Sequence, residues 1–260
     1  MPYRTRYPRY GFPAHLALVA AMGASAAWIP SASAREADSR WSLGVAVATA
    51  DKVYRDYDRE VLPLPLVSYE SDRFSLGIPV SDFKFYSGRT LSFRLRARVA
   101  NDGYDADDSP FLAGMDDRKL SVWAGGAIIW STALGNISGE VLADALGNSK
   151  GTRAKVQIDR RFAAGRFAVT PRLAAEWVDD KYVDYYYGVR QSEVRTGRPF
   201  HEGTSTTNVQ LGVRVDYMPV PRHLLFLDIG STRVGSSIED SPLVDTSSQT
   251  TLGLGYVHRF

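Results

Sequence analysis

Apolar residues recur at every second position along most of this chain, the period of a β-strand with one face in apolar surroundings. Leu91, Phe93, Leu95, Ala97 and Val99 share a face, opposite Ser92, Arg94, Arg96 and Arg98. Ala154, Val156, Ile158 and Phe162 alternate with Arg153, Lys155, Gln157, Asp159 and Arg161. Phe167, Val169, Leu173, Ala175 and Trp177 alternate with Arg166, Thr170, Arg172 and Glu176. Val209, Leu211, Val213, Val215 and Tyr217 oppose Asn208, Gln210, Arg214 and Asp216, and Trp41, Leu43, Val45 and Val47 oppose Ser42, Gly44, Ala46 and Ala48. Two architectures give this pattern. A β-sandwich turns the apolar face inward; a transmembrane β-barrel turns it toward lipid and keeps a polar interior. Two details favour the barrel. Arginines stand among acids on the polar faces, which makes Arg94, Arg96, Arg172, Arg214 and Glu176 lumen-facing candidates. Trp41, Trp130, Phe162, Phe167, Trp177 and Tyr217 gather near strand ends, as interfacial girdles do.

The two termini agree with an exported barrel. Arg4, Arg6 and Arg9 precede an apolar stretch from His15 to Ile29, and Ser31-Ala32-Ser33-Ala34 offers a small-residue cleavage site. Residues 1–34 therefore read as a secretory signal peptide, leaving residues 35–260 as one barrel domain. Loss of that leader removes three arginines and no acid, which brings 31 basic and 29 acidic residues nearly into balance. Such a balance suggests no nucleic-acid partner. The chain has no cysteine, and no later stretch matches a membrane-spanning helix, so any crossing is by strands. At the other end Leu252, Leu254, Tyr256 and Phe260 fall on one face, interrupted by His258. Tyr256 and Phe260 are candidates for the terminal signal read by the barrel-assembly machinery.

Connections sort by length. Short ones lie at 71–72, 87–89, 132–135, 163–165 and 219–221; long polar ones lie at 51–60, 101–118, 178–204 and 234–249. Bacterial barrels keep short turns in the periplasm and long loops outside. With the C-terminus in the periplasm, the long loops fall outside, and 147–151 joins two strands there. Eleven strands are clear if Arg73 to Tyr86 is one; Pro79, Ser81 and Asp82 divide that segment and give twelve. Single-chain bacterial barrels have even strand numbers. The expected fold is all-β, a closed antiparallel transmembrane barrel of about twelve strands, with ten as the alternative.

Candidate chemistry is sparse. Asp102, Asp105, Asp107, Asp108, Asp116 and Asp117 share a loop rich in oxygen ligands, but without the spacing of a calcium loop. Asp179 and Asp180 with Tyr185, Tyr186 and Tyr187 form an outer-loop cluster suited to ligand or glycan contact, and equally to an ordinary interfacial loop. His201, near Glu202, Ser205 and Asp180, is the one histidine placed for a hydrolytic site. No metal or cofactor site is expected. The arginine faces fit either an anion-selective lumen or a lumen closed by pairing with Asp159, Glu176, Glu140 and Asp216.

Several segments carry a resemblance. They are Leu62-Pro63-Leu64-Pro65-Leu66-Val67-Ser68-Tyr69, Gly103-Tyr104-Asp105 leading to Leu112-Ala113-Gly114-Met115-Asp116-Asp117-Arg118, Tyr185-Tyr186-Tyr187-Gly188-Val189 with Glu193, Ser241-Pro242-Leu243, and the ending Gly255-Tyr256 to Phe260. In that order they resemble the MltA-interacting protein family, MipA/OmpV, over essentially all of residues 35–260. The resemblance implies a cell outer-membrane location in a lipid bilayer and no known catalytic residues. It also implies a scaffold that brings a lytic murein transglycosylase together with a murein synthase. Some members look like adhesins, and a small-solute pore is the alternative function.

Overall fold

In the computed structural model, which describes residues 40–57 and 59–260, the strands run as one antiparallel series closed on itself. They are β1 (Arg40–Ala50), β2 (Glu60–Glu70), β3 (Phe74–Leu76), β4 (Val80–Ser87), β5 (Leu91–Ala100), β6 (Ser121–Thr132), β7 (Gly135–Asp144), β8 (Thr152–Asp159), β9 (Phe162–Ala164), β10 (Phe167–Val178), β11 (Thr206–Tyr217), β12 (His223–Arg233) and β13 (Ser248–Arg259). β8 and β9 are two parts of one wall strand, interrupted at Arg160-Arg161, because both pair with β10 in continuous register. The wall thus has twelve positions, and β1 pairing with β13 completes it. The segment from 73 to 86 does divide, at Gly77-Ile78-Pro79, into β3 and β4.

The alternation sets the two faces. Leu43, Val45, Val47, Leu95, Val156, Leu173, Leu211 and Leu254 point outward and are exposed, whereas Ser42, Arg96, Arg98, Lys155, Gln157, Glu176 and Asp216 are buried inside. An apolar belt of this kind is stable only against lipid. At the short-turn end the belt finishes in aromatics. Trp41 packs on Tyr69 with centroids 5.0 Å apart, and Phe167 stacks on Tyr217 at 4.6 Å.

One stretch of wall is thin. β2 pairs with β1 along its full length but with β3 through only two residue pairs, Tyr69↔Leu76 and Glu70↔Ser75. The Phe260 N–H donates to the Trp41 carbonyl, so odd positions of β1 turn their polar groups toward β13 and even positions bond β2. Pro63 and Pro65, opposite Val47 and Val45, therefore lie with their missing N–H groups on the unpaired side, where no ladder bond is lost.

The apolar core does not lie inside the strands. It lies at the long-loop end, where Val53, Tyr54, Tyr104, Leu112, Met115, Trp123, Tyr186, Ile238 and Leu243 form one buried cluster. The long connections also carry two short helices, α1 (Asp180–Tyr187) and α2 (Ser236–Glu239).

Candidate functional site: a sealed outer mouth, a paired lumen and a basic rim

The seal over the outer mouth is built from α1 outward. Asp179 caps the helix by accepting from the Tyr182 N–H at 2.9 Å, and it also accepts from the Thr152 N–H on β8. Tyr182, Val183, Tyr186 and Tyr187 then share one buried face. Gly188 ends the helix, its N–H bonded to the Asp184 carbonyl. The Tyr54 hydroxyl donates to the Tyr186 carbonyl, and the Ser241 hydroxyl donates to the Tyr187 carbonyl. Burial raises the pKa values of Tyr54, Tyr182, Tyr186 and Tyr187, so these phenols remain protonated.

A second knot joins the loop after β5 to the loop after α1. Arg118 Nη2 donates to both carboxylate oxygens of Glu193 at 2.9 Å, and both residues are buried. The Asp116 and Arg190 N–H groups donate to the same carboxylate. Burial opposes ionisation of Glu193, but those two N–H groups and Arg118 overcome it and hold its pKa below the ordinary glutamate value. Arg198 donates to the Glu193, Phe111 and Ala113 carbonyls. Arg55 and Arg195 flank the Phe111 ring at 4.8 and 5.4 Å, bringing three loops to one point.

Below this seal the inward side chains are paired. Arg94 and Arg96 both reach Asp82, and Arg96 and Arg98 share Glu140. Arg153 holds Glu176 and Asp102, while Arg214 and Arg161 hold Asp216. Arg172 crosses to Asp228 at 2.6 Å. Gly212 makes that crossing possible, because a Cβ there would lie 2.6 Å from the Arg172 guanidinium carbon. Arg94, Arg96, Arg172, Arg214 and Glu176 thus all have their charges on the interior side, engaged with partners.

The tyrosine cluster is placed differently from the sequence expectation. Tyr186 and Tyr187 are buried and Tyr185 is half-buried, with its hydroxyl accepting from the Lys119 N–H. Asp179 is spent on the helix cap, and of the five only Asp180 is exposed. They pack the seal because apolar ring area at this end has no lipid to face. His201 bridges its backbone to Val189 and brings Nε2 to 3.4 Å from the Ser237 carbonyl, and among the described residues its ring makes no hydrogen bond to a hydroxyl or a carboxylate. Asp105, Asp107 and Asp108 bring carboxylate oxygens within 4.8 Å of one another on the surface, and Asp108 closes its own turn by accepting from the Asp105 N–H. Tyr256 donates to or accepts from His223 Nδ1 at 2.7 Å, and Phe260 is exposed beside His258.

The ends differ in charge. At the short-turn end Arg73, Arg89, Arg160, Arg166 and Arg222 are exposed, with Asp72 the one exposed acid in the same turns among the described residues. At the long-loop end Asp105, Asp107, Asp116, Asp117, Asp180 and Glu202 are exposed, interspersed with the exposed Lys119, Lys150, Lys181, Arg190 and Arg195. From the sequence, Arg89, Arg166 and Arg222 in the short turns are the positions expected to govern a weak contact with a murein enzyme; what the sequence did not reveal was the seal. The signal for it was the density of Tyr, Phe, Met and Leu inside the long loops.

The family model for MltA-interacting protein MipA matches residues 43–260. The chain belongs to the MltA-interacting protein MipA family. Among MipA-family relatives, the MltA-interacting protein of Escherichia coli (strain K12) is 27% identical over 233 residues, covering 88% of this chain and 94% of that protein. Outer membrane protein OmpV of Vibrio cholerae is 23% identical, covering 86% of this chain and 88% of that one. An outer-membrane channel of Pseudomonas putida F1 aligns with a TM-score of 0.44 and 13% identity over 89% of this chain and 99% of that one, too loose to bear on function. This MipA-family chain is an outer-membrane β-barrel. Three of the segments that resemble the family meet at the seal, where Arg118 and Asp116 meet Glu193 and Ser241 meets Tyr187, whereas 62–69 lies in the wall strand β2 and 255–260 at the end of β13.

Proposed function

We propose that this barrel is a non-enzymatic platform in the outer membrane that holds murein-processing enzymes against the periplasmic face. The partners would be a lytic murein transglycosylase and a murein synthase. The observation that carries the reading is the contrast between a sealed outer mouth and a periplasmic rim of exposed arginines. With the mouth closed by packed loops and the lumen spanned by ion pairs, the rim is the face left for a periplasmic partner. The name of the Escherichia coli relative supports an interaction with MltA. The turns expose a small area, so the contact is modest and transient, unlike obligate interfaces that bury more than about 2,000 Å². Charge on such a rim mainly steers association and makes it salt-dependent.

The protein reaches this site by export: residues 1–34 act as a leader, and N-terminal sequencing of the membrane-extracted form should begin at or near Arg35. Those residues lie outside the described part of the structure, and recovery of an intact Met1 end would contradict the reading. Immobilised barrel in detergent should retain a lytic transglycosylase from envelope extracts at low salt and release it as salt rises. Loss of retention in a charge-neutralised Arg89/Arg166/Arg222 variant that still folds would support the rim. Retention of no murein enzyme, together with steady conductance in planar bilayers, would replace the platform with a channel.

A further inference from the structure

Between the seal and the paired lumen lies a cavity of about 80 Å³, walled on the outer side by Tyr54, Tyr182 and Tyr187. That volume admits several waters or one small oxyanion. The charged part of its lining is mostly cationic: Lys52, Arg98, Arg153, Lys155 and Arg172, against the carboxylates of Asp102 and Glu176; Lys52 donates to the Gly103 carbonyl. The acids are already claimed, because Arg153 takes both of them. Arg172 is neutralised by Asp228. Two cations are left undersupplied. Lys155 is 4% exposed and donates to the Gln210 side-chain oxygen at 2.6 Å, a neutral acceptor. Glu140 and Glu176 stand opposite it in register on the neighbouring strands, but among the described residues no carboxylate makes an ion pair with it, and both of these are held by arginines. Arg98 is 6% exposed and shares Glu140 with Arg96. Its Nη2 lies 2.7 Å from Glu140 Oε1 without hydrogen-bond geometry, and Nε and Nη2 have no hydrogen-bond partner.

A buried cation is costly unless an anion with suitable acceptors meets it. The lining offers that second half of a site: charged donors from Arg98 and Lys155, and neutral amide groups from Asn208 and Gln210. We propose that this chamber binds one small oxyanion, a phosphate, sulfate or simple carboxylate, between Lys155 and Arg98. A guanidinium and an ammonium lining one chamber recognise this class by charge and by shared acceptor oxygens. The platform function does not depend on it.

The test is calorimetric titration of the purified, detergent-folded full barrel with sodium phosphate and, separately, sodium acetate, against sodium chloride of matched ionic strength. Saturable binding of one phosphate or one acetate per barrel, absent with chloride, is expected. Whichever of the two binds tells a tetrahedral anion from a planar carboxylate. Lys155→Met, which keeps the stem and removes the charge, should weaken that binding at least tenfold, and Arg98→Gln should do the same. Selenate soaked into wild-type crystals should give its anomalous peak between Lys155 and Arg98, a readout that needs no variant to fold. No saturable binding of either anion overturns the proposal. So does unchanged affinity in a folded variant, or selenate found only elsewhere.

Discussion

At the outer end the connections bury Tyr54, Leu112, Trp123, Tyr186 and Leu243 in a common core, and Arg118 and Glu193 are locked beneath them. At the periplasmic end the turns are a few residues long, and their arginines stand in solvent with few partners. Much of the recognisable sequence belongs to the first end, although 62–69 in β2 and 255–260 in β13 do not. Segments such as Leu112 to Arg118 and Tyr185 to Val189 are distinctive because many of their side chains, Leu112, Met115, Arg118, Tyr186 and Tyr187 among them, have a packing or hydrogen-bonding task. The rim has no motif, because solvated arginines in short turns need only be present. The loops that close the outer mouth therefore carry much of what makes the family recognisable, while the proposed contact face leaves little trace in the sequence.

The largest effect expected from this comparison is at the knot. Glu193→Ala strands the Arg118 guanidinium and two N–H donors in a buried site. Breaking a buried pair by removing one partner costs about 3–5 kcal/mol. The loss should be local. Proteolysis should speed up in the loops spanning 101–120 and 179–205, while the strands keep their heat-modifiable electrophoretic form. A barrel that unfolds as a whole would mean the ends are not separate stability units.

Acidification should act in the same place more gently. The folded-state pKa of Glu193 is depressed, so its contribution is complete above the unfolded value, about 4.3, and is lost as pH falls through the lower folded value. Amide exchange in the two loops should rise at acid pH relative to exchange at the loop-distal ends of β10 and β11. An equal rise at both ends, or none, would break the distinction.

Removal of Phe260 should barely change the stability of an already folded barrel, because the side chain is 60% exposed. Delivery to the outer membrane should fall, since the residue is proposed as part of the assembly signal. Wild-type membrane levels of the truncated chain would refute that role. The smallest stability effect belongs to the rim: alanine at Arg89, Arg166 or Arg222 should stay within about 0.5 kcal/mol of wild type. Retention of a murein enzyme should nevertheless drop with each charge removed. A rim variant that destabilises the barrel while leaving retention intact would invert the account.

The barrel was legible in the sequence because lipid enforces alternation residue by residue. The faces of β1, β5, β8, β10, β11 and β13 follow the written pattern. The division of 73–86 was legible from Pro79, and the even-strand rule favoured it. The thin seam beside β2 was not, because Pro63 and Pro65 reveal an unpaired edge only once the register is known. The roles of Tyr186 and Tyr187 escaped for a related reason. An aromatic loop next to acids reads alike whether it meets a ligand or another loop, and only the convergence of distant segments decides. Glu140, Glu176 and Asp216 were legible as candidate partners of the inward arginines, but which charges meet was not, since the spacing of strands such as those of Arg96 and Glu140 does not fix it.

The central claim is that the outer mouth is closed and the barrel works through its periplasmic rim. Single-molecule conductance in planar bilayers tests it most directly. The intact protein should insert and stay electrically silent, and Glu193→Ala, with its knot released, should show flickering current. Steady, ion-selective current through the wild type with loops protected from protease would contradict the account.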